Sequence, residues 1–324
     1  MTRVLLTGAA GFIGSHVAEA LVARGDAVVG VDNFDPFYPR AVKETNLAAL
    51  RGAAGFTFVE ADVRDTARVR SLVDAGTVVV HLAARAGVRP SIADPAAYVS
   101  LNVDGTAAVL EAARAAGAKA FVFGGSSSVY GDTAPVPFRE DWPAVEPISP
   151  YAATKRAGEL LCATYAHLFA MRVLSLRFFT VYGPRQRPDL AIHAFTRLLA
   201  GGRPVPRFGD GSTERDYTYV TDIVQGALAA VDWVQGGGGA PAFEIVNLGE
   251  SRTTRLDRLI ALIAAALGVS PVVEERPMQP GDVRRTCADV TKAGRLLGYR
   301  PTTPVEDGIP RFVRWYEETH GRQT

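Results

Sequence analysis

Charge of one sign is the first thing this 324-residue chain lacks: 35 Lys and Arg stand against 34 Asp and Glu. A net charge of +1 sets up no global field for nucleic acid or an anionic membrane surface. Cysteine is scarce. Cys162 and Cys287 lie far apart and neither belongs to a C-x-x-C pair, so both are expected to be reduced thiols. The five histidines show no metal-ligand spacing, and no metal is expected. No apolar run approaches the length of a membrane span. The first residues lack the charged and apolar regions of a secretion signal, which makes the cytoplasm the expected location. No internal repeat divides the chain. What is abundant is apolar material, 48% of the residues, enough for a full core split between a large and a smaller domain.

The most informative stretch is Gly8-Ala9-Ala10-Gly11-Phe12-Ile13-Gly14, directly after Met1-Thr2-Arg3-Val4-Leu5-Leu6-Thr7 with its apolar run. Three glycines at three-residue spacing read as a strand turning into a helix. Their bare backbone admits a pyrophosphate, whose charge sits against the helix N-terminus. Asp32 closes the next apolar run, followed by Asn33. A carboxylate there takes the two hydroxyls of an adenosine ribose and repels a 2′-phosphate, which favours NAD over NADP. Strand-like runs at 3–7, 27–31, 56–60, 77–82, 120–125 and 172–179 alternate with helical patterns near 12–24, 65–74, 103–117 and 151–169. Such alternation predicts an α/β fold, a doubly wound parallel sheet with helices on both faces. Beyond Pro184 the rhythm breaks, with more Pro and Gly and shorter pieces. The expected division is 1–183 for the nucleotide domain, with about 216–248 interleaved into it, and 184–324 mainly for a smaller mixed α/β substrate-binding domain.

Pro150-Tyr151-Ala152-Ala153-Thr154-Lys155 supplies candidate chemistry. Residues four apart share a helix face, so the Tyr151 phenol and the Lys155 ammonium can address one site. Tyrosine is a poor base at neutral pH, and a nearby cation is expected to lower its pKa. The strand-like run Phe121–Gly125 ends in Ser126-Ser127-Ser128, at the strand end where open α/β sheets place ligands.

Glycine loop, strand-end serine and Tyr-x-x-x-Lys, in this order, resemble the extended short-chain dehydrogenase/reductase superfamily and its NAD-dependent nucleotide-sugar epimerases and dehydratases. The resemblance covers nearly the whole chain and implies a Rossmann-type sheet, bound NAD and a UDP-sugar substrate. It implies that Ser126, Tyr151 and Lys155 are catalytic, that Asp62 and Val63 flank the adenine, and that Leu82, Ala83 and Ala84 line the cofactor. Gly8, Gly11, Phe12, Ile13, Gly14, Asp32 and Asn33 complete the cofactor set. Asn102 either contacts the ligand or satisfies buried backbone groups. Arg215 either meets the diphosphate or forms an ordinary surface pair with Asp216. The helices near 103–117 and 151–169 either build a homodimer interface, as the family suggests, or pack on the sheet.

Within that superfamily, dehydratases carry acidic residues near the catalytic hydroxyl and uronate decarboxylases a Glu at the position of Ser128. Serines at 127 and 128 supply neither, which leaves C4 epimerisation through a 4-keto sugar. Thr180 replaces the Asn of galactose-type epimerases. Asp32–Tyr38, Ala86–Arg89 and Pro184–Asp189 look like UDP-glucuronate 4-epimerases, with Ser127, Ser128 and Thr180 holding the sugar carboxylate, or the serines only shaping a turn, and Arg89 or Arg187 adding charge. The other readings are a UDP-glucose/galactose or UDP-N-acetylhexosamine 4-epimerase, a UDP-glucuronate decarboxylase, or a non-catalytic nucleotide-binding protein, against which Tyr151 and Lys155 both speak. Gln279 stands where galactose-type enzymes often carry a diphosphate-binding Arg, leaving Arg276, Arg284 or Arg285 as substitutes. Val205–Phe208 is expected near the uracil.

Overall fold

The computed structural model describes residues 1–236, 242–277 and 283–321; Gln279 lies outside them. Strands β1 (Arg3–Thr7), β2 (Ala27–Asp32), β3 (Phe56–Glu60), β4 (Thr77–His81), β5 (Ala120–Ser126) and β6 (Arg172–Phe178) belong to one parallel sheet. Short pieces follow: β7 (Thr180–Tyr182), β8 (Val205–Phe208), β9 (Glu214–Arg215) and β10 (Tyr217–Tyr219). Then β11 (Ala242–Leu248) returns to the large sheet beside β6, before β12 (Thr254–Arg255) and β13 (Val273–Arg276). The order across the sheet is β11-β6-β5-β4-β1-β2-β3.

The apolar runs dictate this arrangement. All five residues of β4 are buried, as a strand covered on both faces requires. Each fully buried Val or Leu contributes roughly 1.5–3 kcal/mol of transfer free energy. One face packs against helices Phe12–Ala23 and Val220–Gln235, the other against Gly105–Ala115 and Pro150–Phe169. A separate cluster around Tyr182, Phe195, Leu259 and Phe312 forms the core of the later part of the chain. The chain winds outward from β1 to β3, then jumps back to β4 on the other side of β1. That reversal opens a crevice at the strand C-termini, where Thr7 and His81 are register partners.

Three expected elements differ in extent. The helix near 65–74 is only Thr66–Arg70, because Asp65 caps it and turns follow. The one near 103–117 opens with a π-helical turn, Ser100–Asp104, before the α-helix Gly105–Ala115. The sixth strand stops at Phe178, because Thr180–Tyr182 leaves the sheet to pair with Tyr217–Tyr219.

Candidate active site

The glycine turn is closed to side chains. A Cβ on Gly14 would stand 2.0 Å from the Gly8 carbonyl oxygen, and one on Gly8 2.8 Å from the Ala83 nitrogen. Among the described residues no side chain caps helix Phe12–Ala23, whose first turn lies on the crevice wall with its leading N–H groups free of a side-chain acceptor. Asn46 Nδ2 braces the turn by donating to the Ala10 carbonyl at 3.0 Å. Bare backbone at a helix N-terminus fits a pyrophosphate. The crevice has a volume of about 580 Å³.

Gly8, Gly11, Phe12, Ile13, Gly14, Asp32, Asn33, Val63, Leu82, Ala83 and Ala84 all lie on its wall. Asp62 and Asn102 do not. Asp62 is engaged by Arg64 and accepts from Asn33 Nδ2 at 3.0 Å, and the Arg64 hydrogen bond holds its carboxyl down at about 2. Asn102 spends its whole amide on the chain. Its Oδ1 accepts from Arg85 N at 2.8 Å, and its Nδ2 donates to Arg85 O at 2.9 Å and Thr154 Oγ1 at 3.0 Å. With its oxygen and both amide hydrogens engaged by the chain, it supports the wall from behind.

Sequence reasoning missed Lys43, which lies on the wall with its Nζ 3.6 Å from Asp32 Oδ1; both side chains are buried. It missed Arg85 too, which pairs with Asp35 at 3.1 Å across two loops of the wall. Neither pairing leaves a spacing signal, since each joins segments that meet only through the fold.

Tyr151 sits in the first turn of helix Pro150–Phe169. Ser149 Oγ caps this helix by accepting from Ala152 N at 3.1 Å, and Pro150 fits the first helical position. The Tyr151 amide donates to Ser91 Oγ at 3.1 Å, and its ring meets Tyr98 edge-on at 6.2 Å. Lys155 is buried one turn on, with Nζ donating to the Gly124 carbonyl at 2.7 Å. Burial disfavours charge at both groups. It pushes the Tyr151 phenol up, opposed by a hydrogen bond with Ser126 and by the Arg187 charge. It brings Lys155 down to about 8. Lys155 is the cation expected to lower the phenol, and Arg187 supplies a charge of the same effect that the sequence does not assign to Tyr151.

Ser126 Oγ accepts from Ser128 N at 3.2 Å and so starts the tight turn Ser127–Tyr130. Ser126, Ser127, Ser128, Thr180, Arg89, Arg187 and Arg215 are all on the wall. Arg187 is oriented by Asp189 at 2.8 Å and lies over the Phe37 ring at 5.1 Å. Arg215 Nη1 donates to the Glu214 carbonyl at 3.0 Å. Arg276, Arg284 and Arg285 are off the wall, while Val283 and Thr286 are on it; Arg276 pairs with Glu274 and Arg285 with Glu214. Val205–Phe208 is also off the wall; it forms β8, and the Phe208 ring stacks under Arg89 at 5.2 Å.

A doubly wound sheet, a glycine turn at its switch point and a helical Tyr/Lys pair opposite define the short-chain dehydrogenase/reductase class. Within it, the chain belongs to the NAD dependent epimerase/dehydratase family, whose model matches residues 4–249. It is 38% identical over 335 residues to a probable UDP-glucuronate 4-epimerase of Rhizobium meliloti, covering 99% of this chain and 98% of that one. A UDP-glucuronate 4-epimerase of Thermodesulfobacterium geofontis is 38% identical over 321 residues, covering 98% and 97%. The crystal structure of UDP-glucuronic acid 4-epimerase from Bacillus cereus, in complex with UDP-glucuronic acid and NAD, superposes with a TM-score of 0.91. Its identity is 35%, and the match covers 98% of this chain and 100% of that one.

Proposed function

We propose that this chain is an NAD-dependent UDP-sugar 4-epimerase that interconverts UDP-glucuronate and UDP-galacturonate through a transient 4-keto sugar. The observation that carries the reading is the wall around Tyr151. Three hydroxyls (Ser127, Ser128 and Thr180) and the half-buried Arg187 lie on it, and the serine turn bears no carboxylate. Whole-length similarity to UDP-glucuronate 4-epimerases supports it.

Tyr151, hydrogen-bonded with Ser126, takes the proton of the sugar 4-hydroxyl and returns it after the keto sugar has turned over. NAD, when bound, supplies the two-electron acceptor and donor that this proton transfer accompanies. Gly8, Gly11 and Gly14 would cradle its pyrophosphate, and Asp32 with Asn33 its adenosine ribose. Lys155 and Arg187 place positive charge beside the phenolate as it forms. Ser127, Ser128 and Thr180 hold the carboxylate without an acid that would assist its loss. Arg89 and Arg215 face the rest of the nucleotide sugar. The nucleotide domain is 1–183 with 216–248 interleaved, and the remainder covers the sugar.

Leu160 and Leu168 on helix Pro150–Phe169, and Val99 beside it, are 54%, 61% and 47% exposed. A second copy of the chain pairing along these helices would cover them, and light scattering tests that. Among the described residues no helix is long and apolar enough to cross a membrane, and both cysteines are free thiols. We assign the protein to the cytoplasm. The deciding experiment incubates the purified protein with a panel of UDP-sugars and identifies products by NMR. UDP-galacturonate from UDP-glucuronate supports the reading; exclusive turnover of UDP-glucose or UDP-N-acetylglucosamine, or release of carbon dioxide as the main reaction, overturns it.

A further inference from the structure

His81 closes β4 and is 1% exposed, beneath the crevice and off its wall. Its Nδ1 lies 2.7 Å from Thr7 Oγ1 and its Nε2 3.1 Å from Thr106 Oγ1. The partners fix where its proton sits. Thr106 spends its one hydroxyl proton on the Asn102 carbonyl at 2.6 Å, so towards His81 it can only accept. Nε2 therefore carries the hydrogen. Thr7 Oγ1 accepts the Ala83 amide at 3.2 Å and donates its own proton to the bare Nδ1. The opposite tautomer would strand the Thr7 proton in a dry place, and the imidazolium would add a second cation near Lys155.

The chain of bonds continues past Asn102. Asn102 sits in the π-helical turn Ser100–Asp104, and its amide reaches Thr154 Oγ1 at 3.0 Å. Thr154 in turn donates to the Tyr151 carbonyl at 2.8 Å. A continuous path thus links the Ala83 backbone on the cofactor wall, through Thr7, His81, Thr106, Asn102 and Thr154, to the turn that bears Tyr151. Each hydroxyl along it donates one hydrogen bond and accepts one, and both imidazole nitrogens are engaged.

We propose that His81 is a positioning residue for the reaction: a neutral imidazole that holds the Ala83 wall in register with the helix carrying Tyr151 and Lys155. It touches neither substrate nor cofactor. The proposal rests on the epimerase reading of the site, but its test does not depend on that reading alone.

Thr106→Val keeps the shape, leaves the His81 Nε2–H without an acceptor and frees the Asn102 carbonyl. In the NAD-loaded enzyme it should lower kcat for UDP-glucuronate about tenfold and leave KM within about twofold, because misplacement by a fraction of an ångström acts on the reacting geometry. Thr106→Ser should restore kcat. His81→Asn keeps a partner for Thr7 but cannot reach Thr106. Combined with Thr106→Val it should be no slower than the slower single variant, as for two members of one path. Backbone deuterium exchange over residues 82–86, measured without substrate, should accelerate about tenfold in either single variant. If Thr106→Val does not fold, His81→Asn carries the same two measurements.

An unchanged kcat in an active enzyme, failure of Thr106→Ser to restore it, or penalties that add in the double variant overturns the proposal. Should the unmodified protein leave UDP-glucuronate untouched, the epimerase reading fails, and unchanged exchange over 82–86 then decides against the positioning role separately.

Discussion

A tyrosine becomes a base near neutral pH only when something stabilises its phenolate. At Tyr151 burial works against that, while the Ser126 hydroxyl and the Arg187 charge work for it. Tyr151→Phe should therefore keep NAD bound but lose turnover by about 10³-fold, within the span of general acid–base catalysis; undiminished turnover would remove Tyr151 as the base. Lys155 carries the complementary cost. Its pKa falls from 10.5 to about 8 by burial. Below pH 8 both folded and unfolded chains hold the proton, and the folded state bears the full penalty. As pH rises towards 10.5 the folded chain sheds the proton first, so this group's contribution to stability rises. Lys155→Met should abolish turnover yet raise stability at pH 7 by on the order of 2 kcal/mol, read by thermal melting. A melting point lowered at pH 7 would contradict that. The hydroxyls face a different hazard. Once C4 is oxidised, a glucuronate is a β-keto acid that loses carbon dioxide when its carboxylate bond aligns with the carbonyl π system. On the proposed function, donors from Ser127, Ser128 and Thr180 would protect the intermediate by holding the carboxylate out of alignment. Each Ala substitution should raise the ratio of UDP-pentose to epimer, and loss of activity with an unchanged ratio would sink this account.

At the scale of elements, two short segments set the site: the turn Gly8–Gly14 and the start of helix Pro150–Phe169. In the first, the Gly8 carbonyl lies where a Gly14 side chain would stand. Gly14→Ala should give a folded protein whose copurified NAD, released by heat and counted by chromatography, is largely gone; full NAD content would show the turn to be more tolerant than its geometry allows. These segments were legible in the sequence because their chemistry is local. Glycine spacing reports a turn, and Tyr-x-x-x-Lys reports one helix face. The Asp32–Lys43 pair, the Arg85–Asp35 bridge and the His81 path were not legible, since each joins residues brought together only by the winding of the sheet. Asn102 falls between. Its two roles, ligand contact or buttress, could be read, but the choice between them is made by bonds to Arg85 and Thr154 that no periodicity announces. The strand Ala242–Leu248 closes the sheet edge from far along the chain, and its alternation lies behind the glycine-rich stretch that begins at Gly236.

At the scale of the molecule, the later part of the chain has its own core, and that core contains a buried histidine. His193, on helix Ala191–Ala200, is ringed by Phe312, Trp315, Tyr316 and His320 of the C-terminal helix Val305–His320. Among the described residues its Nδ1 has no hydrogen-bond partner, and burial, aided by His320, brings its pKa down to about 4. The same segment reaches the crevice. The His193 amide donates to Gln186 Oε1 at 3.2 Å, and Gln186 and Ile192 both lie on the wall. Between pH 6.5 and about 4 the unfolded chain takes a proton that folded His193 refuses, so stability falls as pH falls through that window. His81, brought down to about 3, adds loss of the same sign, whereas Glu250, raised to about 7, changes stability in the opposite sense over part of the range. The comparison of a single variant with the parent therefore isolates His193. His193→Leu should flatten the decline of the melting point between pH 6.5 and 4, worth on the order of 2 kcal/mol at the acid end, while leaving the decline due to His81 in place. Because the affected helix begins at the crevice, substrate binding measured at pH 5 should weaken less in the variant than in the parent. Parallel melting curves for the two proteins across that range would show that the C-terminal helix accommodates the charge, and that the later core is not what acid attacks first.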